Sequence, residues 1–229
     1  MIRPAAYCGV VGFKPSFGTI STSGVYPFSP TLDQGGVFTR SVRDAALVTH
    51  SLLGFASKDA VSVVGTLPAN ISKLDADFER AHAVHKTLMW AEGARSLSDL
   101  QDRYRDRLSA VLNALIDEGR LIGDVAYASA LAQRSELQLG LARVLSGYHA
   151  IITPPASGEA PVGLSGTGDP SFCTIWTLCG VPALTLPCAL SKNGLPLGLQ
   201  VVGAYREDVH TIAVWCETQL GFSARPFTD

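Results

Sequence analysis

The sequence predicts an α/β fold in which a mixed β-sheet is covered by helices. Short runs rich in apolar and β-branched residues, punctuated by Gly and Pro, lie at both ends of the chain. Between them, a long stretch repeats its apolar residues at helical spacing. With 229 residues, 47% hydrophobic and only 17% charged, the chain lies far from the composition of a disordered segment and is long enough to bury a core.

Residues 1–54 form a strand-rich zone. The apolar run Tyr7 to Phe13, broken by Gly9 and Gly12, predicts a strand, and turn signals follow at Lys14-Pro15 and from Pro27 to Pro30. Residues 35–40 predict a second strand. Ser41 then opens a helix, paired with Asp44 in the manner of a capping box, and Val42, Ala45, Ala46, Thr49 and Leu53 recur at helical spacing until Gly54.

Residues 72–147 read as helical. Leu74, Phe78, Ala81 and Leu88 share one face, and Leu97, Leu100, Tyr104, Leu108, Val111, Leu112 and Leu115 trace the cleanest stripe, ending at Gly119. A further helix is predicted over 124–145, with Gly147 past its end. In the last zone, 148–229, Tyr148 to Thr153 predicts a short buried strand stopped by Pro154-Pro155. Residues 156–171 form a Gly/Ser/Pro loop of functional length. Strands over 183–189 and 198–203 are joined by a turn at Lys192-Asn193-Gly194, and Asp208 caps a final helix with Val209, Ile212, Ala213 and Cys216 inward. The three zones belong to a single domain, 1–229.

Eighteen basic against twenty acidic residues leave a net charge of −2, which argues against a nucleic-acid or membrane partner. No apolar run is long enough to cross a bilayer. The five cysteines (Cys8, Cys173, Cys179, Cys188, Cys216) form no Cys-x-x-Cys pair and lie among apolar neighbours, which predicts buried reduced thiols in a cytoplasmic protein rather than a zinc site. Neither a dinucleotide fingerprint nor a phosphate loop is present, and no cofactor is expected. His82 and His85 lack a third ligand at readable spacing, and Cys8 has no nearby histidine to activate it, so it is assigned to packing in the first strand.

Two glycine- and proline-rich blocks carry the chemistry. One is IRPAAYCGVVGFKPSFG at 2–18, continued by TLDQGGVFTRSVRD at 31–44; the other is CGVPALTLPC at 179–188, continued by GLPLGLQVVG at 194–203. Both, in this order and with YHAIITP at 148–154, resemble the amidase-signature family of serine amidohydrolases. The resemblance implies an amidase fold and the hydrolysis of a carboxylic amide to acid and ammonia by a Ser–cis-Ser–Lys triad. It also implies that the nucleophilic serine falls three positions before Arg3, immediately ahead of Met1, with the bridging serine and catalytic lysine further upstream. On this reading the chain is the C-terminal portion of an amidase domain, holds no catalytic residue and is inactive alone. Association with the missing N-terminal half, or with a second copy, is expected. An amidotransferase A-subunit-like fragment and a non-catalytic remnant are the alternatives.

Lys14 matches a position of the family distinct from its catalytic lysine, and its expected role is local. Arg3 is a candidate to hold a substrate carboxylate bidentately; the competing reading satisfies it with buried carbonyls or with Asp33. Trp176 is a candidate to line the acyl pocket, with core packing as the alternative.

Overall fold

The computed structural model describes residues 1–52, 76–164, 166–207 and 209–222. Leu53, Gly54, Leu74 and Asp208, which the sequence reading used for helix ends and packing, lie outside the described residues.

The chain opens with a helix, α1 (Ile2–Cys8), where a strand was expected from Tyr7. Gly9 ends it at φ 64°, a left-handed conformation that costs glycine nothing, and the N–H groups of Gly9 and Val10 return to the carbonyls of Ala6 and Ala5. The apolar run is therefore shared between α1 and β1 (Val11–Lys14). One consequence is that Cys8, at the helix end, is exposed rather than packed.

β2 (Val37–Thr39) leads into α2 (Val42–Leu52), whose first turn is capped as read: the Asp44 N–H donates to the Ser41 hydroxyl at 3.1 Å. The stripe from Leu97 to Leu115 belongs to two helices. α3 (Ala81–Tyr104) ends in a short 3-10 turn, and α4 (Ala110–Arg120) starts again from Ser109, whose hydroxyl accepts the Leu112 N–H. The chain folds back so that Leu97 and Ile116 pack together with Leu100, Leu108, Leu112 and Leu115, while Val111 turns to solvent. α5 (Asp124–Leu145) has the predicted bounds.

β3 (Ile151–Thr153), α6 (Ser171–Cys179), the hairpin β4 (Ala183–Leu190) and β5 (Pro196–Val202), and α7 (His210–Leu220) complete the chain. The five expected strands form one sheet in the order β2-β1-β4-β5-β3, so the central strand, β4, pairs on one side with β1 from the opposite end of the sequence. Every pairing is antiparallel, where a mixed sheet was expected. Residue type does not encode strand direction, whereas the five-residue β4–β5 connection leaves room only for an antiparallel return. β3 is an outer strand, and Ile152, expected to be buried, is 55% exposed.

One sheet face packs with α3, α5 and α6 through Leu88, Leu141, Trp176, Leu178 and Val202; the other packs with α2 and α7 through Phe13, Val42, Leu184, Val201 and Ala213. α1 lies across β1, β4 and β5. It approaches closely because glycines face it: a Cβ on Gly12 would overlap the Ala5 methyl, and one on Gly198 would lie 2.8 Å from the Ala6 methyl.

Candidate functional site

The close seating of α1 fixes Arg3 at the mouth of the long loop between β3 and α6. Its guanidinium donates from Nη1 to the Gly168 carbonyl at 2.8 Å and from Nη2 to the Thr167 hydroxyl at 3.0 Å, while Nε is buried without a partner. Of the two partners considered from sequence, Asp33 is not taken, and the carbonyl that is taken, of Gly168, is exposed rather than buried. The Asp33 carboxylate instead accepts the N–H groups of Phe28 and Ser29, closing its own turn.

Lys14 ends β1 in the interior, only 6% exposed. Its Nζ donates to the Gln34 side-chain oxygen at 2.7 Å and to the Val181 carbonyl at 2.6 Å, with the Pro15 carbonyl at 3.4 Å. Burial without a carboxylate pulls its pKa down to about 7. Ser16 points elsewhere and accepts the Arg206 N–H at 2.8 Å. Lys14 and Ser16 therefore make no dyad, and Lys14, expected to pair locally, instead ties the end of β1 to Gln34 and to Val181 of the segment that enters β4. Four of the thiols are no better as nucleophiles, since burial raises the pKa of Cys173, Cys188 and Cys216 and pushes that of Cys179 up to about 12.

Trp176 projects from α6 into the core among residues that include Ile2 and Leu178; it is 4% exposed and its indole N–H has no hydrogen-bond partner. The carbonyls that follow it are all held: Gln34 donates to Thr177, Arg134 to Leu178, Gln138 to Cys179, the Phe17 N–H to Gly180 and Lys14 to Val181. A second polar cluster surrounds Glu92 of α3. Its carboxylate accepts from the Ser29 and Thr31 hydroxyls, the Thr31 N–H and the Tyr127 hydroxyl, all at 2.7–3.0 Å. Burial alone would raise its pKa, but these donors hold it below the ordinary carboxylate value.

Sequence reasoning missed Glu92, Arg134 and Gln138. Glu92 left a signal in its setting between Ala91 and Gly93-Ala94, small residues that place a carboxylate on a closely packed helix face. A cavity of about 620 Å³ opens where α5 meets the end of β5, lined by Gln138, Leu139, Ala142, Cys179, Val181 and Tyr205, and not by Arg3. Among the described residues, no three His, Cys, Asp or Glu side chains cluster to hold a metal, and no helix is long and apolar enough to cross a membrane.

The family model described as Amidase matches residues 2–78 and 68–212. The A-subunit of glutamyl-tRNA(Gln) amidotransferase from Wolbachia sp. subsp. Drosophila simulans (strain wRi) is 27% identical over 98% of this chain and 62% of its own length. The protein of the same name from Brevibacillus brevis is 26% identical over 97% and 62%. A crystal structure described as an amidase superposes with a TM-score of 0.85 at 29% identity, covering 96% of this chain and 61% of its own. The crystal structure of the glutamyl-tRNA(Gln) amidotransferase A-subunit from Thermotoga maritima gives 0.67 at 25%, covering 97% and 60%. The chain thus spans about three-fifths of the length of the relatives it matches.

Proposed function

The chain belongs to the amidase family, and on that premise we propose that it supplies the C-terminal part of a domain that hydrolyses a carboxylic amide to acid and ammonia. In that reaction a serine oxygen attacks the amide carbon and ammonia leaves with a proton relayed through a serine–lysine pair. Water then cleaves the acyl-serine ester to release the acid. In this reading those groups come from the part of the relatives that the chain does not span. This chain contributes the sheet, α1 with Arg3 to bind a substrate carboxylate, and Trp176 beside the acyl group. The proposed setting is the cytoplasm.

The observation that supports inactivity of 1–229 by itself is the separation of Lys14 from Ser16, each committed to other partners. The test is to assay 1–229 alone, and co-expressed with the N-terminal part of an amidase relative, on small amides and with a serine-directed fluorophosphonate. No turnover or labelling alone, with ammonia release from the pair, is the expected result. Stoichiometric labelling of 1–229 alone would place a nucleophile in this chain and overturn the reading. A second reading, part of an amidotransferase, is favoured by the names of the curated relatives. Glutamine-dependent amidation of glutamyl-tRNA in the presence of partner subunits would select it.

A further inference from the structure

The loop between β3 and α6 is a strap pinned at two feet. At one foot, the Glu159 carboxylate accepts the Asn193 side-chain amide at 2.5 Å, and hydrogen bonds from Ser191 and Asn193 hold its pKa low. At the other, Arg3 holds Thr167 and Gly168. Gly168 adopts φ +79° and packs under Tyr7, whose hydroxyl a Cβ would overlap. Between the feet, Val162 and Leu164 are 95% and 103% exposed, so no apolar contact of theirs holds the strap down.

Both terminal nitrogens of Arg3, the pair that would grip a carboxylate, are thus spent on a neutral carbonyl and a hydroxyl. The nearby Asp169 does not occupy the guanidinium, because its two oxygens take the N–H and hydroxyl of Ser171 at 2.9 and 2.8 Å. A carboxylate offers the same fork full charge and two parallel acceptors, a stronger partner than either neutral group.

We propose that the strap and a substrate carboxylate compete for Arg3, so that Arg3 is a latch which an acidic amide releases. The proposal rests on the reading of Arg3 as the carboxylate-binding residue of an amidase. On release, the strap keeps its Glu159 foot, and its other foot, at Thr167 and Gly168, comes free beside the bound ligand.

Limited proteolysis of 1–229 by subtilisin, read as the rate of cleavage within 160–168, tests this without needing turnover. Opening one charge-assisted anchor should raise local opening, and with it cleavage, roughly tenfold. Arg3→Gln, and on the strap side Thr167→Val, are expected to speed cleavage while leaving cleavage elsewhere unchanged. Succinamate, a short acid amide, is expected to speed it in the wild-type chain and to add nothing in Arg3→Gln; neutral succinamide should do nothing in either. Unchanged cleavage in both variants would overturn the latch. Faster cleavage in the variants with no response to succinamate, or protection by it, would overturn the competition while leaving the amidase reading to its own assay.

Discussion

Arg134 of α5 donates through Nε to the carbonyl of Leu178, 2.8 Å away at the last turn of α6. The last carbonyls of a helix have no partner within it and carry the negative end of its dipole. Here a guanidinium, with the amide of Gln138 on Cys179, crosses from a neighbouring helix to satisfy them. This joins the helical layer to the segment that enters β4.

Arg134→Met is therefore expected to lower stability by about 2 kcal/mol, since it leaves a buried carbonyl without a donor and removes a charge from the helix end. Arg134→Lys should recover only part of the loss, because a lysine has no Nε fork. Urea denaturation of the two variants beside the wild-type chain measures both.

Glu92 gives a second expectation. Its carboxylate is held by four donors and its pKa lies below the ordinary 4.5, so the stability it contributes is present above that value and is lost as pH falls through its folded pKa. Glu92→Gln should destabilise by about 2 kcal/mol at neutral pH, as an amide N–H then faces hydroxyl and backbone donors. It should also flatten the dependence of stability on pH below 4.5. Thermal melts across pH 3–7 would show whether the acid limb depends on this residue.

His85 acts in a different window. Burial, aided by the neighbouring His82, takes its pKa from 6.5 down to about 4. Between these values the unfolded chain binds a proton that the folded chain refuses, so stability falls as pH drops from 6.5 to 4, by up to about 3 kcal/mol. Above 6.5 the residue is neutral in both states and contributes no slope. His85→Met is expected to remove this part of the pH dependence while leaving the neutral-pH stability within about 1 kcal/mol. An unchanged slope in the variant would contradict the assignment.

How far the sequence reveals this molecule depends on the range of the interaction. α5 was legible to the residue because its periodicity is continuous and glycines stand just outside both ends. The stripe of α3 and α4 misled because a helix that folds back keeps burying its leucines against the same core, so the apolar rhythm continues through the turn at 105–107. α1 was hidden because its packing rests on Gly12 and Gly198, whose significance appears only once the sheet is assembled. The same holds for the candidate site. Arg3 was identifiable from its motif, but its partners lie 164 and 165 residues away, a separation that no local pattern reports.

The seating of α1 sets the next expectation. Gly198→Val would place a branched side chain where even a Cβ lies 2.8 Å from the Ala6 methyl and from the Thr185 hydroxyl. The helix must lift from the sheet, at a cost of about 2–3 kcal/mol. Because α1 carries Arg3, the strap should loosen too, and subtilisin cleavage within 160–168 should rise in step with the loss of stability measured in urea.

The outer strands bear on how the chain behaves in solution. β2 and β3 each pair on one side only among the described residues, and each presents an exposed apolar side chain, Phe38 and Ile152, both 55% exposed. An outer strand offers a row of free N–H and C=O groups, and apolar side chains beside them favour pairing with another chain. A charged fraction of 17% provides little repulsion against such contacts. Residues 1–229 are therefore expected to self-associate at micromolar concentration. Ile152→Lys should suppress this, since a lysine on an outer strand penalises edge-to-edge pairing. The cost to the fold should stay within about 0.5 kcal/mol, the usual range for an exposed position. Light scattering across a dilution series reads the association, and urea denaturation reads the stability. A wild-type chain that stays monomeric at high concentration would show that these edges are protected.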